Sequence, residues 1–372
     1  MSKPRGIAEE RECLLKEVRE MPPGPEALRK LAYVREEYDW AILDYQASLR
    51  IFSDTAYQDR KHFLLELIQN ADDAQFRSDE AELTFVIDEN SIELRYNEKG
   101  FDVEDMISIT GTGMSTKVGR GGQSHSFIGE KGIGFKSVFA LASEVEIESP
   151  PWHFVLSKEK PIIPKCLTSG TFSEDNAVRA VADELHRFVV GQVESFLFLQ
   201  RLSWFTLEDH RYTPARIMSV RIEPPDRSGD TLLMSVQPND SLRQYSLYAE
   251  DVEFPADLVA ERWETLGTSI GPLKRKLVVA ALVDTTEDRT TEGRLFCYLP
   301  TEVRLPVPIF LQVDGHTKAD RERLHAPEQN RWNSYLINLL PDFLLRAILS
   351  WRDDSLVAQR LPDLIPTEPG TD

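Results

Sequence analysis

A chain of 372 residues is long enough for two domains with sizeable cores. With 41% hydrophobic and 28% charged residues it reads as globular rather than disordered. Its net charge of −19 repels phosphate backbones and disfavours nucleic acid as the main partner.

The three cysteines, Cys13, Cys166 and Cys297, are far apart and form no metal-ligand spacing with the seven histidines. A reduced intracellular compartment, cytoplasmic or nuclear, is the expectation. The N-terminus MSKPRGIAEEREC is charged throughout, unlike a signal peptide, and no run reaches the length of a membrane span.

Residues 1–49 read as an N-terminal helical arm. A stripe of Ile7, Leu14, Val18 and Met21 is broken by Pro22, Pro23 and Pro25, and a second pattern runs through Leu28, Leu31, Ala32, Arg35, Tyr38, Ile42 and Tyr45. Such an arm either packs on the following domain or forms a homodimer contact.

The chain is organised around the next segment, His62 to Gln75. At 100° per residue, Asn70 falls about 40° and Asp73 about 20° from Glu66, so the three share one narrow helical face. Phe63, Leu64, Leu67, Ile68, Ala71 and Ala74 form a separate apolar face. Ser53 and Asp54 are the N-cap candidates. A carboxylate and an amide four residues apart on one face is what base-plus-metal chemistry requires.

Leu83, Phe85 and Ile87 alternate, as do Ile92, Leu94 and Tyr96, with Asp88, Glu89 and Asn90 between them. That predicts a hairpin, which ends at Asn97, Glu98 and Gly100. Between Thr110 and Gly134 lie eight glycines, with Ser115, Thr116 and Lys117 among them. The stretch reads as a mobile lid. It closes with Gly129, Gly132 and Gly134 running into an apolar helical pattern from Phe135. Glycines before a helix N-terminus offer free backbone N–H groups and a positive dipole end, which suit phosphate. No Walker loop occurs.

Two strands follow, split by Pro150 and Pro151, then an irregular stretch with a helix from Ala177 to Phe188 and a helix-to-strand run VESFLFLQRLSWFTLED. The second half holds strands LLMSV, YSLYAEDV, KLVVAALVD, GRLFCYLP and VPIFLQVDG. A tail helix interrupted at Pro341 comes next, and a Pro-rich, frayed end from Leu361. Asp314, Lys318, Arg321 and Arg323 read as a solvated loop.

Glu66-Leu-Ile-Gln-Asn70-Ala-Asp-Asp73, the hairpin, the glycine-rich lid and Gly129…Gly132-Ile-Gly134-Phe135 occur in the order of the GHKL ATPases. That superfamily contains gyrase, the ninety-kilodalton heat-shock chaperones, histidine kinases and MutL. The chain resembles its sacsin and NO VEIN branch more closely, over roughly residues 50–350, in QNADDA, Ser115-Thr116-Lys117, IGEKGIGFKSVF and GRLFCYLPTEVRLPVPIFLQVDGHTKADRERL. The resemblance implies a two-layer α/β sandwich, the histidine-kinase-like ATPase fold, over residues 50–215, followed by a smaller α+β domain over 216–372.

It further implies ATP and Mg²⁺ as cofactors. Glu66 would be the general base, Asn70 the Mg²⁺ ligand, and Asp73 a support for the adenine or ribose. Gly129, Gly132, Gly134 and Phe135 would cradle phosphate, with Ser115, Thr116 and Lys117 in the lid and Thr171 as the γ-phosphate cap. The usual Asp-x-Gly-x-Gly is here Asn97-Glu98-Lys99-Gly100-Phe101, leaving Asn97 or Glu98 as adenine reader. Two functions follow: slow Mg²⁺-dependent ATP hydrolysis by a chaperone-like conformational switch acting on a protein client, or a catalytically inactive nucleotide-binding or interaction module.

Overall fold

The computed structural model describes residues 5–38, 60–111, 135, 138–139, 142–166, 177–191, 193–223, 231–263, 273–285, 292–318 and 323–364. The architecture is mixed α/β, with a large mixed sheet and a small second sheet. The chain divides into two compact units. The first comprises Met1–Gly121, Phe127–Phe188 and Leu207–Arg216; the second comprises Gly122–Ser126, Val189–Thr206 and Ile217–Asp372.

In the first unit, helices α1 (Arg5–Glu20) and α2 (Pro25–Tyr38) are separated at the predicted prolines. Leu15, Val18, Ala27, Leu28, Leu31 and Val34 share one core with Met106, Ile107, Trp152, Phe154 and Leu156. The N-terminal arm is therefore packed into this unit. Helix α3 spans Arg60–Asp72. The expected N-caps Ser53 and Asp54 lie outside the described residues. Leu64, Ile68 and Ala71 are buried, as the apolar face requires.

The hairpin forms as predicted. β1 (Ala81–Ile87) and β2 (Ile92–Tyr96) pair antiparallel, with Leu83 opposite Tyr96 and Phe85 opposite Leu94. Helix α4 (Val103–Ile109) follows, opened by a capping box in which Asp102 and Asp105 each bond the other's backbone N–H. Phe135, Val138 and Phe139 lie in 3₁₀ turns. β3 (Glu144–Ser149), β4 (Trp152–Ser157) and β5 (Lys165–Cys166) make the small antiparallel sheet, and α5 spans Ala177–Gly191. The expected helix after residue 192 is only a 3₁₀ turn, Val193–Phe196, before β6 (Leu202–Asp209).

The second unit is built on β7 (Arg216–Glu223), β8 (Thr231–Gln237), β9 (Ser241–Phe254), β10 (Leu273–Thr285), β11 (Gly293–Cys297), β12 (Leu299–Leu305) and β13 (Ile309–Gln312). Their order is β12-β11-β13-β10-β9-β8-β7. β11 and β13 run parallel. From Leu277 to Val283 β10 is an apolar run, and all of these residues but the half-buried Val278 are buried. Leu277, Val279 and Ala281 pack under helices α6 (Ala256–Trp263), α7 (Arg331–Arg352) and α8 (Ser355–Ala358). Trp332 stacks on Phe254 at 3.8 Å.

Four expectations need correction here. GRLFCYLP is two strands, not one. Tyr298, at φ 64°, turns the chain so that Cys297 faces Leu299, and its N–H is held by Gln312 Oε1 at 2.8 Å. Pro341 does not interrupt α7. The ring removes the bond to the Ile337 carbonyl, but Ile337 and Pro341 are exposed, so the loss falls on the solvent side of the helix.

The expected frayed end is ordered where it starts, and residues 365–372 lie outside the described residues. Leu361–Leu364 forms a 3₁₀ turn, and Leu364 joins the core. Asp314 is also not solvated. It is 5% exposed and ion-paired with Arg275 at 2.6 Å, while Trp332 Nε1 donates to its backbone carbonyl. A carboxylate enters a core when a cation on the neighbouring strand goes with it.

Candidate functional site

The end of α3 and the exit of β2 are more than twenty residues apart in sequence and are clasped together in space. Asp73 and Ala74 close α3 with bonds to Gln69 and Ala71. The next residues then meet the segment after β2. Lys99 N donates to Gln75 O at 2.7 Å, Arg77 N to Asn97 O at 3.2 Å, and Phe76 bridges Glu98. Gln75, Phe76 and Arg77, just past Asn70 and Asp73, are thereby joined to Asn97, Glu98 and Lys99, just before Gly100. Asn70 is half-buried and Asp73 is 8% exposed. Position 66 lies on α3 one turn before Asn70.

Asn97 is the fastener of this clasp. Its Oδ1 accepts from Glu82 N at 2.9 Å, and its Nδ2 donates to Glu80 O at 2.8 Å and Ser78 Oγ at 3.0 Å. Both amide protons are thus committed to the loop. Gly100 sits at φ 93°, in the left-handed region, and a Cβ there would meet Ser149 Oγ at 3.2 Å. The same Ser149 hydroxyl accepts from Phe101 N at 2.7 Å, and Trp152 Nε1 donates to Phe101 O at 2.9 Å. These bonds fix the turn that leads into α4.

Glu98 adds a carboxylate to this turn. It is half-buried and hydrogen-bonded to Tyr96. Burial, then the nearby Asp105 charge, push its carboxyl up to about 7, against the Tyr96 bond and Arg77. The folded pKa lies above the unfolded one, so folding takes up a proton. Stability therefore falls as pH rises from about 4.5 toward 7 and stays low above that. Glu98→Gln is expected to unfold like wild type at pH 5 and to be more stable at pH 8, by up to roughly 3 kcal/mol. Urea denaturation at the two pH values checks this; an equal difference at both would contradict the assignment.

Ser115, Thr116, Lys117, Gly129, Gly132, Gly134 and Thr171, with the lid and phosphate cradle they were expected to form, lie outside the described residues. Phe135 is half-buried against the first unit's core. Two buried features were not read from the sequence. Gln69 and Asp72, both 1% exposed, flank the Asn70 face on α3. Asp209, fully buried, accepts from Arg211 Nε and Nη2 at 2.9 and 2.7 Å and bonds His186 Nε2 at 2.8 Å. Burial works against its charge, but these bonds outweigh it and hold the carboxyl well below the usual range. The only sequence hint was a carboxylate on the inward alternation of β6.

No protein-family model matches the chain. Over 108 residues it is 43% identical to Protein NO VEIN of Arabidopsis thaliana. The match covers 29% of this chain and 4% of that much longer protein. Among the described residues, no group of three or more His, Cys, Asp or Glu side chains is arranged to hold a metal, and no helix is long and apolar enough to cross a membrane.

Proposed function

We propose that the first unit is a GHKL-type nucleotide-binding module that takes ATP with Mg²⁺ and hydrolyses it slowly as a conformational switch. The observation that carries this reading is the clasp joining the Asn70–Asp73 end of α3 to the Asn97–Gly100 turn. In the superfamily the chain resembles, these two motifs line one site. The similarity to Protein NO VEIN supports the branch.

The donor chemistry fits. An amide oxygen is a hard ligand, and Mg²⁺ needs only one or two such groups beside water and phosphate oxygens. Asn70 would hold the ion, which would neutralise charge on the phosphates. Glu66, one turn earlier, would take the proton of the attacking water. Glu98 offers the carboxylate oxygen that an exocyclic amine requires, whereas Asn97 spends its amide protons on the loop. The Tyr96 bond would keep that carboxylate in place.

The commitment of Asn97 also favours a second reading, in which the module binds nucleotide or a protein partner without turnover. Asn70→Ala separates binding from its absence. ATP titration with Mg²⁺ is expected to show affinity in wild type and its loss in the variant, with little difference between the two when Mg²⁺ is chelated. Equal affinities with Mg²⁺ would remove Asn70 as the metal ligand.

A further inference from the structure

Helix α4 leaves the candidate site at Asp102 and ends at Thr110, and both of its ends are held by arginines of the N-terminal helices. At its first turn, Arg19 Nε of α1 donates to Glu104 at 2.8 Å. At its last turn, Arg35 of α2, only 2% exposed, donates Nη2 to the Ile107 carbonyl at 2.8 Å, with Nε 3.4 Å from Thr110 Oγ1. Thr110 is fully buried. Gly111 closes against the same place. A Cβ there would lie 2.9 Å from Ile107 O and 3.4 Å from Arg35 Nη2.

A buried guanidinium is a costly way to fill space, since an apolar side chain of similar volume often stabilises as well. What it adds is direction: a fixed fork of donors set on the negative end of a short helix. The opposite end of that helix is continuous with Gly100 and Phe101. We infer that Arg35 is a positioning residue, which sets the candidate site through α4 and makes the N-terminal helices part of it. The positioning follows from these contacts alone; that the positioned site takes nucleotide rests on the reading above.

Arg35→Met and Arg35→Lys, compared with wild type by amide hydrogen exchange, test the positioning. In Arg35→Met, exchange is expected to quicken by about tenfold or more at Thr110 and Gly111, and also at Lys99 and Phe101 at the far end. The hairpin amides of 83–87 should be unchanged. Arg35→Lys, which keeps the charge but not the fork, should fall between. Quickening confined to Thr110 and Gly111, or spread equally over the hairpin, would overturn the inference, because Arg35 would then be a local or general stabiliser. ATP affinity in Arg35→Met should drop at least about fivefold. If wild type binds no ATP, the nucleotide reading fails, and the exchange pattern alone still decides the positioning.

Discussion

Glu66→Ala is expected to lower ATP hydrolysis by about 10²–10⁴-fold, the usual contribution of a positioned general base, while leaving ATP affinity nearly unchanged. The reason is geometric. Position 66 is one turn before Asn70 on α3. A base there would act on the attacking water and make no contact needed to hold the nucleotide. Removing its negative charge near phosphate should, if anything, tighten binding slightly. Phosphate release measured beside equilibrium binding separates three cases. Loss of turnover with binding kept supports Glu66 as base. Equal turnover in both proteins removes Glu66 from that role. Binding without turnover in wild type leaves the non-hydrolytic module as the correct reading.

Truncating one side of the buried ion pair in the second unit is expected to have the largest effect on stability. Arg275 on β10 and Asp314 after β13 meet at 2.6 Å, with side chains 9% and 7% exposed. Asp314→Ala would leave a guanidinium in the core and cost about 3–5 kcal/mol. The double change Arg275→Met with Asp314→Leu removes both charges and should cost far less, within about 1–2 kcal/mol of wild type. Denaturant unfolding of the three proteins reads the difference. Equal losses in the single and double variants would show that the site depends on the shape of the pair rather than on its charge.

What was legible in the sequence follows from where a signal was periodic. The alternation of Leu83, Phe85 and Ile87 with Ile92, Leu94 and Tyr96 fixes a hairpin and its register, because one face is buried. The prolines after Met21 separate α1 from α2 for a local steric reason. The buried positions Leu64, Ile68 and Ala71 of α3 were readable from a count of 100° per residue. Tyr298 was not: a turn at positive φ normally announces itself with Gly or Asn, and here a tertiary bond from Gln312 holds a tyrosine there. β7 was missed because Arg216, Ile217, Arg221 and Glu223 are exposed and blur its alternation.

Burial of charge was the least legible property. Arg35 falls on the predicted helical stripe with no partner in view along the sequence, and the partners that help hold Asp209 and Asp314 inside, His186 and Arg275, are distant in sequence. In the candidate site the same limit applies. The sequence named Asn97 and Glu98 together, whereas the fold gives Asn97 to the loop and leaves Glu98 beside Tyr96.

We propose that the end of α3 and the turn after β2 form one adenine-nucleotide site. Photolabelling of the full chain with 8-azido-ATP and Mg²⁺, followed by peptide mapping, tests it most directly. Label is expected on peptides spanning residues 70–77 or 96–101, suppressed by excess ATP. Label confined to the second unit, or label that ATP does not displace, would contradict it.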